Sequence, residues 1–199
     1  MEQPNASDDG EAALSPRFWA ALAVTGVATG LFGAGLMALL FHVESAAFGY
    51  PSGTFQSGVE AATGLRRVTS LLLAGLFGGV AWYLLRRYTP GKKSEMDDVL
   101  WSRSGELSLR RSLGTSLISE VVIGMGVSLG REAAPKTMGG ASGELLGRWF
   151  GLSTAQQRLL IACGGGAGLA SVYNVPLGGA FFTAEILIGS VSIATMLPA

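Results

Sequence analysis

The segment FWAALAVTGVATGLFGAGLMALLF, residues 18–41, runs for 24 residues without a charged side chain. As an α-helix at ~1.5 Å per residue it is roughly 36 Å long, enough to cross the ~30 Å hydrocarbon core of a bilayer with some tilt. It does not read as a signal peptide, because the apolar run is too long, the tail before it is acidic and no clear cleavage site follows. We therefore expect a disordered polar tail over residues 1–16 and one integral membrane domain over residues 17–199. The charge content agrees: 14% of the 199 residues are charged, against about 25% in a soluble domain. Net charge is zero, which gives no reason to expect a nucleic-acid partner. A single cysteine, Cys163, rules out a disulfide framework or a cysteine zinc site. A single histidine, His42, closes the first apolar run, where an interfacial role is expected. No metal and no cofactor is expected.

A second span is VTSLLLAGLFGGVAWYLL, residues 68–85. After it, residues 86–111 hold Arg86, Arg87, Lys92, Lys93, Arg103, Arg110 and Arg111, half of the chain's 14 Lys and Arg. By the positive-inside rule this loop is cytoplasmic, although Arg66 and Arg67 in the preceding loop count against that orientation. The later segments are shorter or interrupted. Residues 112–129 can span but contain Glu120, residues 133–150 are too short and polar to cross alone, and residues 159–173 stop at Asn174 and Pro176. Residues 175–197 are long enough again, with Glu185 near the middle. Broken segments are tolerated at membrane depth where protein or a water-filled cavity surrounds the exposed backbone, and transporters build ion sites from them. The expected fold class is all-α, a polytopic membrane bundle with broken and tilted helices. Glycines four apart (Gly26 and Gly30, Gly75 and Gly79, Gly143 and Gly147, Gly164 and Gly168) mark faces for close helix packing.

The stretch GREAAPKTMGGASGELLG, residues 130–147, carries the chemistry. Pro135 suits the first turn of a helix, so residues 130–134 lie where that helix starts. The first N–H groups of a helix have no internal partner and attract an anion. Glu132 stands at that place. Two readings follow: its carboxylate caps the helix, paired with Arg131, or it competes with a diffusible anion for the same N–H groups. Gly126-Val-Ser128-Leu-Gly130 also fits the G-x-S-x-G pattern of serine hydrolases. That chemistry needs a base, and His42 at the far end of the first span is the one histidine on offer. No enzyme is expected.

From residue 130 to 189 the chain resembles the CLC chloride channels and proton-coupled anion exchangers. The resemblance rests on G-R-E at 130–132, on GRWFGLSTAQQRLLIACGGGAGLASVYNVPLGGAFFTAEILIG at 147–189, and on the spacing between them. It implies transport of chloride or a similar small anion across a bilayer, with Glu132 as the gate. The backbone around Gly130, Arg131, Glu132 and Ala133 would then hold the anion, and Ser94 is a weak candidate for an inner contact. Three departures stand out. The family's Gly-Pro after the glutamate is Ala133-Ala134 here, the position after Glu185 is Ile186 where many exchangers carry a second glutamate, and the chain stops after the first of the family's two inverted halves. The resemblance further implies a multi-pass protein of the plasma (inner) membrane. It implies a homodimer joined partly through residues 176–190, or a chain that needs a second, C-terminal half to form a pore.

Overall fold

The computed structural model describes residues 15–50, 53–89, 100, 107–189, 191 and 196–199. The described elements are helical. They run α1 (Pro16–Phe48), α2 (Phe55–Ala61), α3 (Gly64–Tyr88), α4 (Leu109–Gly124), α5 (Ala133–Trp149), α6 (Thr154–Tyr173) and α7 (Pro176–Phe182), the last continuing into a π-helical turn, Thr183–Ile188. The tail expected over residues 1–16 lies, up to residue 14, outside the described residues; Ser15 caps α1 by accepting from the Phe18 N–H. Ser94 is likewise outside them.

α1 and α3 are long and apolar enough to cross a bilayer. Their outward faces are apolar: Val27, Leu31, Leu72 and Leu76 are each more than 60% exposed. Water would oppose such a surface, since contiguous apolar patches of this kind mark a membrane or a partner. The inward face of α1 is Phe18, Ala21, Thr25, Thr29, Leu36 and Leu40. Arg66 and Arg67, which weighed against the expected orientation, act on backbone. Arg66 donates to the carbonyls of Ala46 and Ala47 at the end of α1, and Arg67 to those of Glu60 and Ala62. Cations near a helix C-terminus satisfy its orphan carbonyls.

The centre of the bundle is the antiparallel pair α5 and α6. A Cβ at Gly139 would strike the Gly164 backbone, one at Gly143 would lie 2.5 Å from Leu160 O, and one at Gly168 would strike the Pro135 carbonyl. The two backbones touch because glycine faces them along three successive turns, the geometry that small-residue spacing permits in membranes. Of the four glycine pairs in the sequence, Gly164 with Gly168 packs in this way, and Gly143 with Gly147 packs across the same helix pair, Gly143 against backbone and Gly147 against the Gln157 side chain. Gly26, Gly30, Gly75 and Gly79 have nothing within reach of an added Cβ. On α1 the inward positions belong to Thr25 and Thr29, one residue before each glycine, so the glycines fall off the packed stripe.

Two spans differ from expectation. The helix expected through residue 129 ends at Gly124, and Gly126 takes φ +101°, a left-handed conformation open chiefly to glycine. The span expected over 175–197 is instead α7 and its π turn, closed at Gly189 with φ +76°. Thirteen residues, Pro176–Ile188, are too few to cross a bilayer as a helix.

Candidate functional site: the Gly130–Ala133 turn

Irregular backbone links α4 to α5. After Gly124 the chain is held by Ser70 of α3, whose hydroxyl donates to Met125 O at 2.7 Å. Residues 128–130 are exposed, and residues 131 and 132 turn into α5. Ser116 of α4 donates to Ala134 O at 3.0 Å and fixes the first turn of α5 from behind. Glu132 is the residue before the first helical position, and its carbonyl accepts from Lys136 N–H at 3.3 Å. Pro135 occupies the third helical position and contributes no N–H. The backbone N–H groups at the start of α5 therefore point outward beside Gly130, Arg131, Glu132 and Ala133, all four exposed in this chain.

The Glu132 side chain does not cap α5: its backbone is helical (φ −77°, ψ −28°) and no side-chain cap bond forms. A capping residue needs an extended backbone to bring its oxygen onto the N–H groups, as Ser153 does at the start of α6. The carboxylate folds back over Gly130 instead, so that a Cβ added there would lie 2.6 Å from Oε2. Nor does Glu132 pair with Arg131. Tyr173, the last residue of α6, donates its hydroxyl to Glu132 Oε2 at 3.3 Å, and the Arg131 guanidinium lies 5.2 Å from the centre of the same ring. That distance suits a cation–π contact. One aromatic residue thus holds both charged members of the turn, and the reading of residues 130–136 alone missed it. Asn174, at φ +55°, ends α6. The signal for that ending, Asn174 before Val175-Pro176, is local; that the ring then lies against a turn 41 residues earlier is not.

The hydrolase pattern is not assembled. Ser128 follows a helix rather than a strand, whereas a nucleophile elbow needs a strand-to-helix turn. The Nδ1 atom of His42 lies 2.6 Å from Ala38 O in its own helix. Glu185 is exposed in the π turn and makes no hydrogen bond among the described residues. Lys136 is half-buried behind the turn.

A helical bundle with lipid-type outer faces and broken interior helices has the architecture of a polytopic membrane protein. The family model for the voltage gated chloride channel matches residues 77–199, and the chain belongs to that family. It is 31% identical over 171 residues to the voltage-gated ClC-type chloride channel ClcB of Yersinia pseudotuberculosis, covering 82% of this chain and 41% of the relative. ClcB of Escherichia coli is 32% identical over 146 residues, 70% of this chain and 34% of the relative. Among solved structures, a slow cyanobacterial Cl−/H+ antiporter superposes with a TM-score of 0.70 at 27% identity, covering 92% of this chain and 44% of the other. The chain spans less than half the length of these relatives.

Proposed function

We propose that this chain supplies one wall of a transmembrane pathway for chloride or a similar small anion, gated by Glu132. The anion competes with the Glu132 carboxylate for the N–H groups at the start of α5, with Gly130, Arg131 and Ala133 contributing backbone. The observation that carries the reading is the position of that carboxylate: beside a helix start, but not spent on capping it. Both species are small anions attracted by the same partial positive charge. Protonating or displacing the carboxylate frees the site. An inner contact at Ser94, a membrane domain reaching from residue 17 to 199, and residence in the plasma (inner) membrane belong to the same reading.

The test is chloride flux from liposomes holding the assembled protein. Glu132→Gln and Glu132→Ala are expected to abolish the pH dependence of flux; unchanged pH dependence in both variants refutes the gate.

A second reading has its own support. Gly130 to Ala133 are all exposed in this chain, and the chain spans 41% of the ClcB relative. A site of this kind needs cover to exclude water and lipid. In that reading the chain is a non-conducting half-domain completed by a second half or a partner. The apolar surface of α7 and its π turn, where Leu177 and Ile186 are exposed, suits a homodimer contact. Flux absent from the 199-residue chain and restored by adding a second half supports this reading; flux from the chain alone rejects it.

A further inference from the structure

Glu120 lies in the third turn of α4, on the buried stripe Ser112, Ser116, Glu120 and Gly124. One turn before it, Ser116 is bonded to the first turn of α5. One turn after it, Gly124 meets α1 so closely that a Cβ there would lie 2.9 Å from Val43 Cβ and 3.3 Å from Leu40 O. Glu120 therefore sits where α1, α4 and the start of α5 converge, behind the Gly130–Ala133 turn. It has no accessible surface. Neither carboxyl oxygen has a hydrogen-bond partner among the described residues.

The charges that act on it come from two neighbouring elements: Arg131 from the turn before α5, and Glu44 from α1. α3 meets α4 through Gly78 and Leu85, and the residue after α4 through Ser70, all uncharged. Arg131 makes no ion pair with Glu120, and its guanidinium is taken up by the Tyr173 ring. An ionised carboxylate in that position would be a buried charge with no donor among the described residues, a state disfavoured against the neutral acid. Buried charges are paired, bound to metal or neutralised. Intramembrane acids are rare enough that each one calls for a function. With no accessible surface, the group has room for a very small ligand only.

We propose that Glu120 is an internal proton-binding site lying behind the anion turn. Its unloading would place a negative charge near Arg131 and so weaken the positive potential at the turn. This coupling rests on the anion reading of Glu132; the proton site does not.

Infrared spectroscopy of the assembled protein in bilayers tests the site directly. At pH 7 the wild type is expected to show a protonated-carboxyl C=O band that Glu120→Gln removes, Glu120→Asp shifts and Glu132→Gln leaves in place. A protonated-carboxyl region identical in the wild type, Glu120→Gln and Glu120→Asp overturns the proposal. So does loss of an ionised-carboxylate band in Glu120→Gln. The coupling is read in the Glu132→Gln background as chloride binding against pH: adding Glu120→Gln is expected to flatten the residual dependence. A chain that carries no chloride yet loses the band in Glu120→Gln keeps the proton site and rejects only the anion reading.

Discussion

Gly139→Ala tests whether α5 and α6 truly touch through their backbones. A Cβ at Gly139 would lie 2.6 Å from the Gly164 carbonyl carbon and 3.0 Å from Thr29 Cγ2, with the Gly164 oxygen nearer still. The obstacle is backbone in the middle of a helix, so no rotamer change relieves it and the helices must separate. Overpacking of this kind costs about 1–3 kcal/mol and occasionally more. Rigid backbone places Gly139→Ala at the upper end. Alanine returns about 1 kcal/mol of helix propensity relative to glycine, which leaves a net loss of about 2 kcal/mol. Gly26→Ala is the matched control: nothing lies within reach of its Cβ, so only the propensity term acts and stability is expected to stay level or rise by up to ~1 kcal/mol. The assay is the midpoint of denaturant-induced loss of helical circular dichroism in mixed micelles, both variants side by side. Separation of α5 from α6 also pulls Tyr173 from Glu132, so Gly139→Ala is expected to change flux in the assembled protein as well. Equal midpoints for Gly139→Ala and Gly26→Ala would refute the close crossing.

Gly130→Ala is expected to push the Glu132 carboxylate off the turn, because the atoms in the way are the far end of a flexible side chain. Stability should stay within about 0.5 kcal/mol of the wild type, while flux moves toward that of Glu132→Ala; wild-type flux counts against the observed carboxylate position. Tyr173→Phe removes the hydroxyl that donates to Glu132 but keeps the ring under Arg131. At 3.3 Å this bond belongs at the low end for a charged acceptor, about 1.5 kcal/mol, so losing it should raise open-gate flux by up to roughly tenfold, whereas Tyr173→Leu should also release Arg131. In the loop after α1, burial first, and then the hydrogen bond and charge of Glu44, push the Tyr50 phenol up to about 12. Because the folded-state value is raised, the neutral phenol stabilises the fold below the ordinary value near 10, and that stability is lost as pH climbs toward 12. Ultraviolet phenolate titration of wild type against Tyr50→Phe should show one residue missing from the highest-pH step.

Much of this molecule was legible in one dimension. The long uncharged run and the second span became α1 and α3, since a bilayer's thickness sets the length of an apolar helix. Pro135 marked the start of α5 to within a turn. The motif of residues 130–132 and the run at 147–189 pointed to the family that residues 77–199 match. These features are local: periodicity, turn chemistry and short motifs act within a few residues of themselves.

Tertiary structure decided the rest. Four glycine pairs share one spacing, yet two pack and two face outward, because the outcome depends on which face another helix covers. Glu132 could have capped α5 or paired with Arg131, and Tyr173, arriving from the end of α6, engages both residues instead. Glu120 read as one acid within an apolar span; three converging elements made it a buried carboxyl with no donor among the described residues. Helices form from neighbours along the chain, but the energy of a charge or a glycine is set by what packs against it from tens of residues away.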